Sequence, residues 1–166
     1  PVHMRNLDAL LEAYPDACII WTHRDPADVL PSYVSLCAHF RSLFEHSLDR
    51  EQIAIDQKEA WARAVENGMR LRKGREHQFH DIYFNDFMAD PIGEVAKAYQ
   101  HFDQPFSEPA KEALTAWREA HKPGQFGTHN YTRDDFGQSP AQVHERYAEY
   151  LEQFPRVLDK RDRSAA

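Results

Sequence analysis

Leu7, Leu10, Leu11 and Tyr14 recur at three- and four-residue intervals, a spacing that predicts an amphipathic helix over residues 3–14, ended by Pro15. The stretch 17–23 is short, apolar and β-branched, and predicts a buried strand of a parallel sheet. Helical spacing resumes at Pro26 and runs to about residue 46 through Val34, Leu36, Phe40 and Phe44. Pro31 is expected to interrupt that helix, because it brings no N–H to the ladder. Residues 50–73 predict a long helix with Ile53, Ile55, Trp61, Val65 and Leu71 as its apolar positions, packed internally or against a partner. Residues 79–84 predict a second strand. Asp90-Pro91 then opens a helix through Val95 and Tyr99 to Phe102, and 109–121 predicts another. Residues 122–138 are rich in Gly, His, Asn and Asp and predict a loop of a length that is often functional. Ser139-Pro140 opens the last helix, to about Phe154, and 159–166 is expected to be a flexible tail. Strands that alternate with helices argue for a parallel α/β sheet, here one domain over residues 1–158.

Composition narrows the function classes. The chain has 166 residues, enough for one domain with its own core. Its net charge of −7 argues against general affinity for nucleic acid or an anionic membrane. No apolar run approaches the roughly 20 residues of a membrane span. Cys18 and Cys37 stand apart without metal spacing, so a reduced, cytoplasmic protein is expected, its thiols packed as small hydrophobes. Ten histidines raise the question of a metal. His77 and His80 are three apart, but no cysteine or carboxylate cluster completes a tetrahedral set, so no metal is expected. Trp21, Trp61 and Trp117 are expected in the core. The chain opens on Pro1, close to a helical pattern, and reads as the later part of a longer protein or as a truncated gene product.

The chemistry concentrates at Ile19-Ile20-Trp21-Thr22-His23-Arg24-Asp25-Pro26, followed by Ser32. A strand end, a guanidinium, a helix N-terminus and a hydroxyl together can hold one phosphate dianion. The same residues also fit an ordinary helix start, with Asp25 as N-cap, Pro26 at the first helical position and Arg24 paired with Asp25 or Asp28. Local chemistry leaves both readings open.

Four stretches, in order, carry a likeness to the PAPS-dependent sulfotransferases, particularly a bacterial branch; PAPS is 3′-phosphoadenosine 5′-phosphosulfate. Pro1-Val2-His3 with Leu7, Leu10 and Leu11 resembles the end of the family's Lys-Ser-Pro-x-His segment and the helix after it. Tyr14 to Ile20, then His23-Arg24-Asp25-Pro26 and Ser32, resembles its 3′-phosphate-binding element. Phe84-Asn85-Asp86-Phe87-Met88-Ala89-Asp90-Pro91 resembles its Tyr-x-Asp-Leu-x-x-Asp-Pro stretch. Gly127-Thr128-His129-Asn130-Tyr131 with Asp135-Phe136-Gly137 resembles its Gly-x-His-x-Tyr loop.

The resemblance implies a P-loop NTPase-like three-layer α/β fold with a parallel sheet, helix-rich and incomplete at the N-terminus. It implies a sulfotransferase, moving a sulfuryl group from PAPS to a hydroxyl or amine acceptor that is a small molecule, carbohydrate or lipid. It assigns the 3′-phosphate contact to Arg24 and Ser32, and further donor contacts to Phe84, His129 and Tyr131. His3 is the candidate base, offset by two residues from the family's histidine when the arginine elements are aligned. Phe84 replaces the family's tyrosine, which keeps a ring for adenine and removes a hydroxyl; Asn130 stands where relatives carry a basic residue, and Arg133 is the candidate to restore that charge. No Gly-x-x-x-x-Gly-Lys-Ser/Thr loop, such as would wrap the 5′-phosphosulfate, occurs in these residues. A truncated, non-catalytic nucleotide-binding or interaction protein of the same fold is therefore the alternative expectation. A nucleotide kinase of related fold would need a Walker-type loop and a magnesium-binding partner, and neither is visible.

Overall fold

The computed structural model describes residues 2–121 and 136–159. Strand β1 (Ile19–His23) and strand β2 (Phe79–Tyr83) pair in parallel, in a register that runs from Ile19 opposite Phe79 to His23 opposite Tyr83. Side chains alternate along β1: Trp21 and His23 are buried, while Ile20 and Thr22 are exposed. The parallel, helix-rich α/β arrangement is the one the sequence implies.

The expected N-terminal helix forms as two, α1 (Val2–Arg5) and α2 (Leu7–Ala13), divided at Asn6. Leu7 and Leu11, one turn apart, are buried. Helix α3 (Pro26–Ser42) runs unbroken through Pro31, against the expected interruption. The ring removes one ladder bond, but Leu30, Pro31, Val34 and Ala38 are all buried, and that packing outweighs the lost bond. Helix α4 (Arg50–Arg72) packs against α1, α2 and α3. Its Gly68 permits a close approach to β1. A Cβ there would lie 2.9 Å from the Trp21 ring and 2.9 Å from the Met4 sulfur.

Strand β2 ends one residue earlier than expected, and Phe84 opens a short helix, α5 (Phe84–Ala89). Helix α6 (Pro91–His101) follows, capped by Asp90, whose carboxylate accepts from the Gly93 N–H at 3.0 Å. Helix α7 (Glu108–Ala120) packs against α6 and buries none of its residues. Trp117, expected in the core, is 62% exposed and stacks on His121 instead. Cys18 is exposed and Cys37 half-buried, so neither is a fully buried hydrophobe.

The last helix also divides in two, α8 (Pro140–Arg146) and α9 (Ala148–Gln153), followed by a single 3₁₀ turn, Pro155–Leu158. Ser139 and Gln142 form a capping box at the start of α8. Val143, Tyr147, Tyr150 and Phe154 enter the core, and the Phe154 ring lies 5.7 Å from that of Trp21. Arg146 fastens α8 to α4. It donates to Glu59 at 2.8 Å and to Glu66, and these bonds hold its guanidinium above its ordinary pKa. The face of β1 that carries Trp21 and His23 is thus covered by α4, α9 and the segment after α9.

Candidate functional site

The two strands end in register, with His23 opposite Tyr83, so the next residue of each leaves the sheet beside the other. Those residues are Arg24 and Phe84. The Arg24 guanidinium carbon lies 4.2 Å from the centroid of the Phe84 ring, a cation–π contact on an exposed arginine. Asp25 caps α3, accepting from the Ala27 N–H at 2.8 Å and from His144 Nε2 at 2.9 Å. The carboxylate next to Arg24 is therefore engaged by two donors, one from α3 itself and one from α8.

Behind Arg24 lies a buried polar chain. His23 is 1% exposed. Its Nδ1 is 2.9 Å from the Tyr150 hydroxyl and its Nε2 is 2.9 Å from Asp81 Oδ1. Asp81 also accepts two hydrogen bonds from Arg72, at 2.6 and 2.8 Å. Burial acts to raise the Asp81 carboxyl, but the bonds from His23 and Arg72 prevail and hold it at about 2. An ionised carboxylate only accepts, so the His23 proton facing Asp81 sits on Nε2. Burial pushes the Tyr150 phenol upward, which keeps its proton available as a donor. The imidazole packs among the rings of Trp21, Tyr83 and Phe154, with centroids 5.3, 5.1 and 4.3 Å away.

A cleft of about 1090 Å³ with largely apolar walls runs from α1 and α2 across β1 to α5. His3, Arg24 and Phe84 line it, together with Leu10, Ile20 and Tyr33. The structure therefore brings three of the sequence-predicted residues to one cavity. Ser32 is half-buried within α3, and is not one of the residues lining the cleft. His129 and Tyr131 lie outside the described residues, as do Asn130 and Arg133. Among the described residues no group of three or more His, Cys, Asp or Glu side chains is placed to hold a metal ion.

Sequence reasoning missed His23, Asp81, Arg72, Tyr150 and His144. Asp81 offered a signal, a carboxylate in the middle of a short strand that begins on Phe79 and ends on Ile82 and Tyr83. Tyr150 and His144 offered none, since they lie 127 and 119 residues from their partners.

The family model described as "Sulfotransferase family" matches residues 1–108. The chain belongs to the sulfotransferase family. It is 31% identical over 107 residues to omega-hydroxy-beta-dihydromenaquinone-9 sulfotransferase Stf3 of Mycobacterium bovis and of Mycobacterium tuberculosis, an alignment covering 61% of this chain and 26% of each relative. The fold superposes on the crystal structure of sulfotransferase STF9 from Mycobacterium avium with a TM-score of 0.82, at 27% identity, covering 93% of this chain and 40% of that one. Against sulfotransferase STF1 from Mycobacterium tuberculosis the TM-score is 0.70 at 32% identity, covering 90% of this chain and 38% of that one. This member of the family thus spans about a quarter of the length of the curated relatives it matches. Helices α8 and α9 lie beyond the matched residues 1–108, yet they supply His144 and Tyr150. Among the described residues no helix is long and apolar enough to cross a membrane.

Proposed function

We propose that this chain carries the donor-gripping part of a PAPS-dependent sulfotransferase, with Arg24 and Ser32 holding the 3′-phosphate. The observation that carries the reading is the placement of Arg24: an exposed guanidinium between the end of β1 and the start of α3, resting on Phe84, with the neighbouring Asp25 already engaged. A helix N-terminus and a guanidinium together favour a bound dianion. Phe84 offers a ring face for the adenine, and His129 and Tyr131 add further donor contacts. Gripping a remote phosphate orients the sulfuryl group without touching it.

In the reaction an acceptor oxygen attacks sulfur. The bond from sulfur to the bridging oxygen of the 5′-phosphate breaks, and adenosine 3′,5′-bisphosphate leaves. The acceptor proton passes to a base, for which His3 on the cleft wall is our candidate. The cleft's largely apolar walls support an apolar, lipid-like alcohol as acceptor, in keeping with the hydroxylated dihydromenaquinone named for the Stf3 relatives. The two free cysteines fit a reducing, cytoplasmic setting.

The test is calorimetric titration with adenosine 3′,5′-bisphosphate. Arg24→Ala is expected to weaken binding by about 10- to 100-fold, the range for a lost hydrogen bond to a charged group. Unchanged affinity in that variant would remove Arg24 from the site.

A further inference from the structure

Arg24 is bracketed. The residue before it, His23, accepts at Nδ1 from the Tyr150 hydroxyl at 2.9 Å, and the residue after it, Asp25, accepts from His144 Nε2 at 2.9 Å. Both outside partners come from the C-terminal helix pair, His144 from α8 and Tyr150 from α9. That pair is itself fixed on α4 by Arg146 and by the Tyr147 hydroxyl, which donates to the Lys58 carbonyl at 3.3 Å. The backbone on each side of Arg24 is thus held by residues far away in sequence, while the Arg24 side chain rests on Phe84.

We infer that His144 and Tyr150 are positioning residues for the anion clamp: the C-terminal helices aim Arg24 at the donor's 3′-phosphate. The inference rests on the proposed function and deepens it. Two effects combine in His144. Its donated hydrogen bond fixes Asp25, and with it the start of α3, which Asp25 caps through the Ala27 N–H. The bond also draws on the Asp25 carboxylate, which would otherwise repel a dianion gripped one residue away. Tyr150 acts through His23. With Nε2 committed to Asp81 and Nδ1 to Tyr150, the imidazole has one orientation, and the chain turns toward Arg24 from a fixed point. Sites held loosely by their supporting residues lose binding even when every contact residue is present. None of this could come from residues 1–108 alone, because both helices lie beyond them.

The experiment compares adenosine 3′,5′-bisphosphate with 5′-AMP, which lacks the 3′-phosphate. The affinity ratio of the two ligands reads the clamp and little else. His144→Ala is expected to lower that ratio about 10-fold, and Tyr150→Phe, which keeps the ring and removes only the hydroxyl, about 3- to 10-fold. The affinity for 5′-AMP is expected to stay as in the unaltered chain. His144→Gln retains a donor near the Nε2 position and is expected to restore most of the ratio. Should His144→Ala fail to fold by circular dichroism, His144→Gln and Tyr150→Phe still carry the test. An unchanged ratio in a folded Tyr150→Phe and His144→Ala overturns the inference, as does an equal loss of both ligands, the mark of a merely structural role. If the unaltered chain shows no preference for the bisphosphate over 5′-AMP, the proposed function fails first and the positioning role falls with it.

Discussion

Replacing Asp81 by asparagine removes one charge from the middle of a buried chain of partners. The carboxylate takes two hydrogen bonds from Arg72 and one from His23. The side chains of Asp81, Arg72 and His23 are 22%, 15% and 0% exposed. Stripping one partner from a fully buried ion pair costs about 3–5 kcal/mol, whereas an exposed pair is worth about 0–1. These exposures place Asp81 between the limits, and asparagine keeps one acceptor oxygen while turning an N–H₂ toward Arg72. The expected loss is about 2–3 kcal/mol. Urea unfolding followed by circular dichroism at neutral pH measures it. The acid limb gives an independent check. Folding lowers the Asp81 carboxyl from 3.8 to about 2, so as pH falls the unfolded chain takes up the proton first. The stabilisation is complete above the unfolded value and is lost as pH falls through the folded one. Other carboxylates contribute to the same limb, so the telling quantity is the difference between the two proteins: the gap between them should close toward pH 2. A loss below about 0.5 kcal/mol, or parallel acid limbs, would refute the claim that Asp81 is the hub of this network.

Gly68→Ala should destabilise by about 1–3 kcal/mol in urea unfolding, because its methyl would press on the aromatic ring of Trp21 and on the Met4 sulfur at 2.9 Å. Arg146→Ala should cost about 1–2 kcal/mol and make the remaining stability less sensitive to salt, since it cuts α8 from Glu59 and Glu66 across partly exposed pairs. The same change should return the Glu59 carboxyl, now lowered chiefly by its hydrogen bond from Arg146, toward its ordinary value in an NMR titration.

The order of elements was readable because period and punctuation agree locally. Asp25-Pro26 and Asp90-Pro91 open helices as their capping chemistry dictates, and the apolar stretches at 19–23 and 79–83 pair in parallel. Errors arose where tertiary packing decides. Pro31 sits inside a helix because its neighbours are buried, and Trp117 faces outward because α7 buries nothing. The cleft residues were legible to different depths. Arg24 and Phe84 each follow a strand, and pairing of the strands puts them in contact. Their supports were not legible, because neither periodicity nor spacing links His23 to Tyr150 or Asp25 to His144 across more than a hundred residues.

The central claim is that Arg24 and Ser32 grip a 3′-phosphate, and a crystal structure of this chain with adenosine 3′,5′-bisphosphate tests it most directly. The account predicts a 3′-phosphate oxygen within about 2.7–3.2 Å of an Arg24 nitrogen and another within reach of Ser32 Oγ, in the second turn of α3. A nucleotide bound with its 3′-phosphate on other residues, and Arg24 still lying on Phe84 away from it, would contradict it.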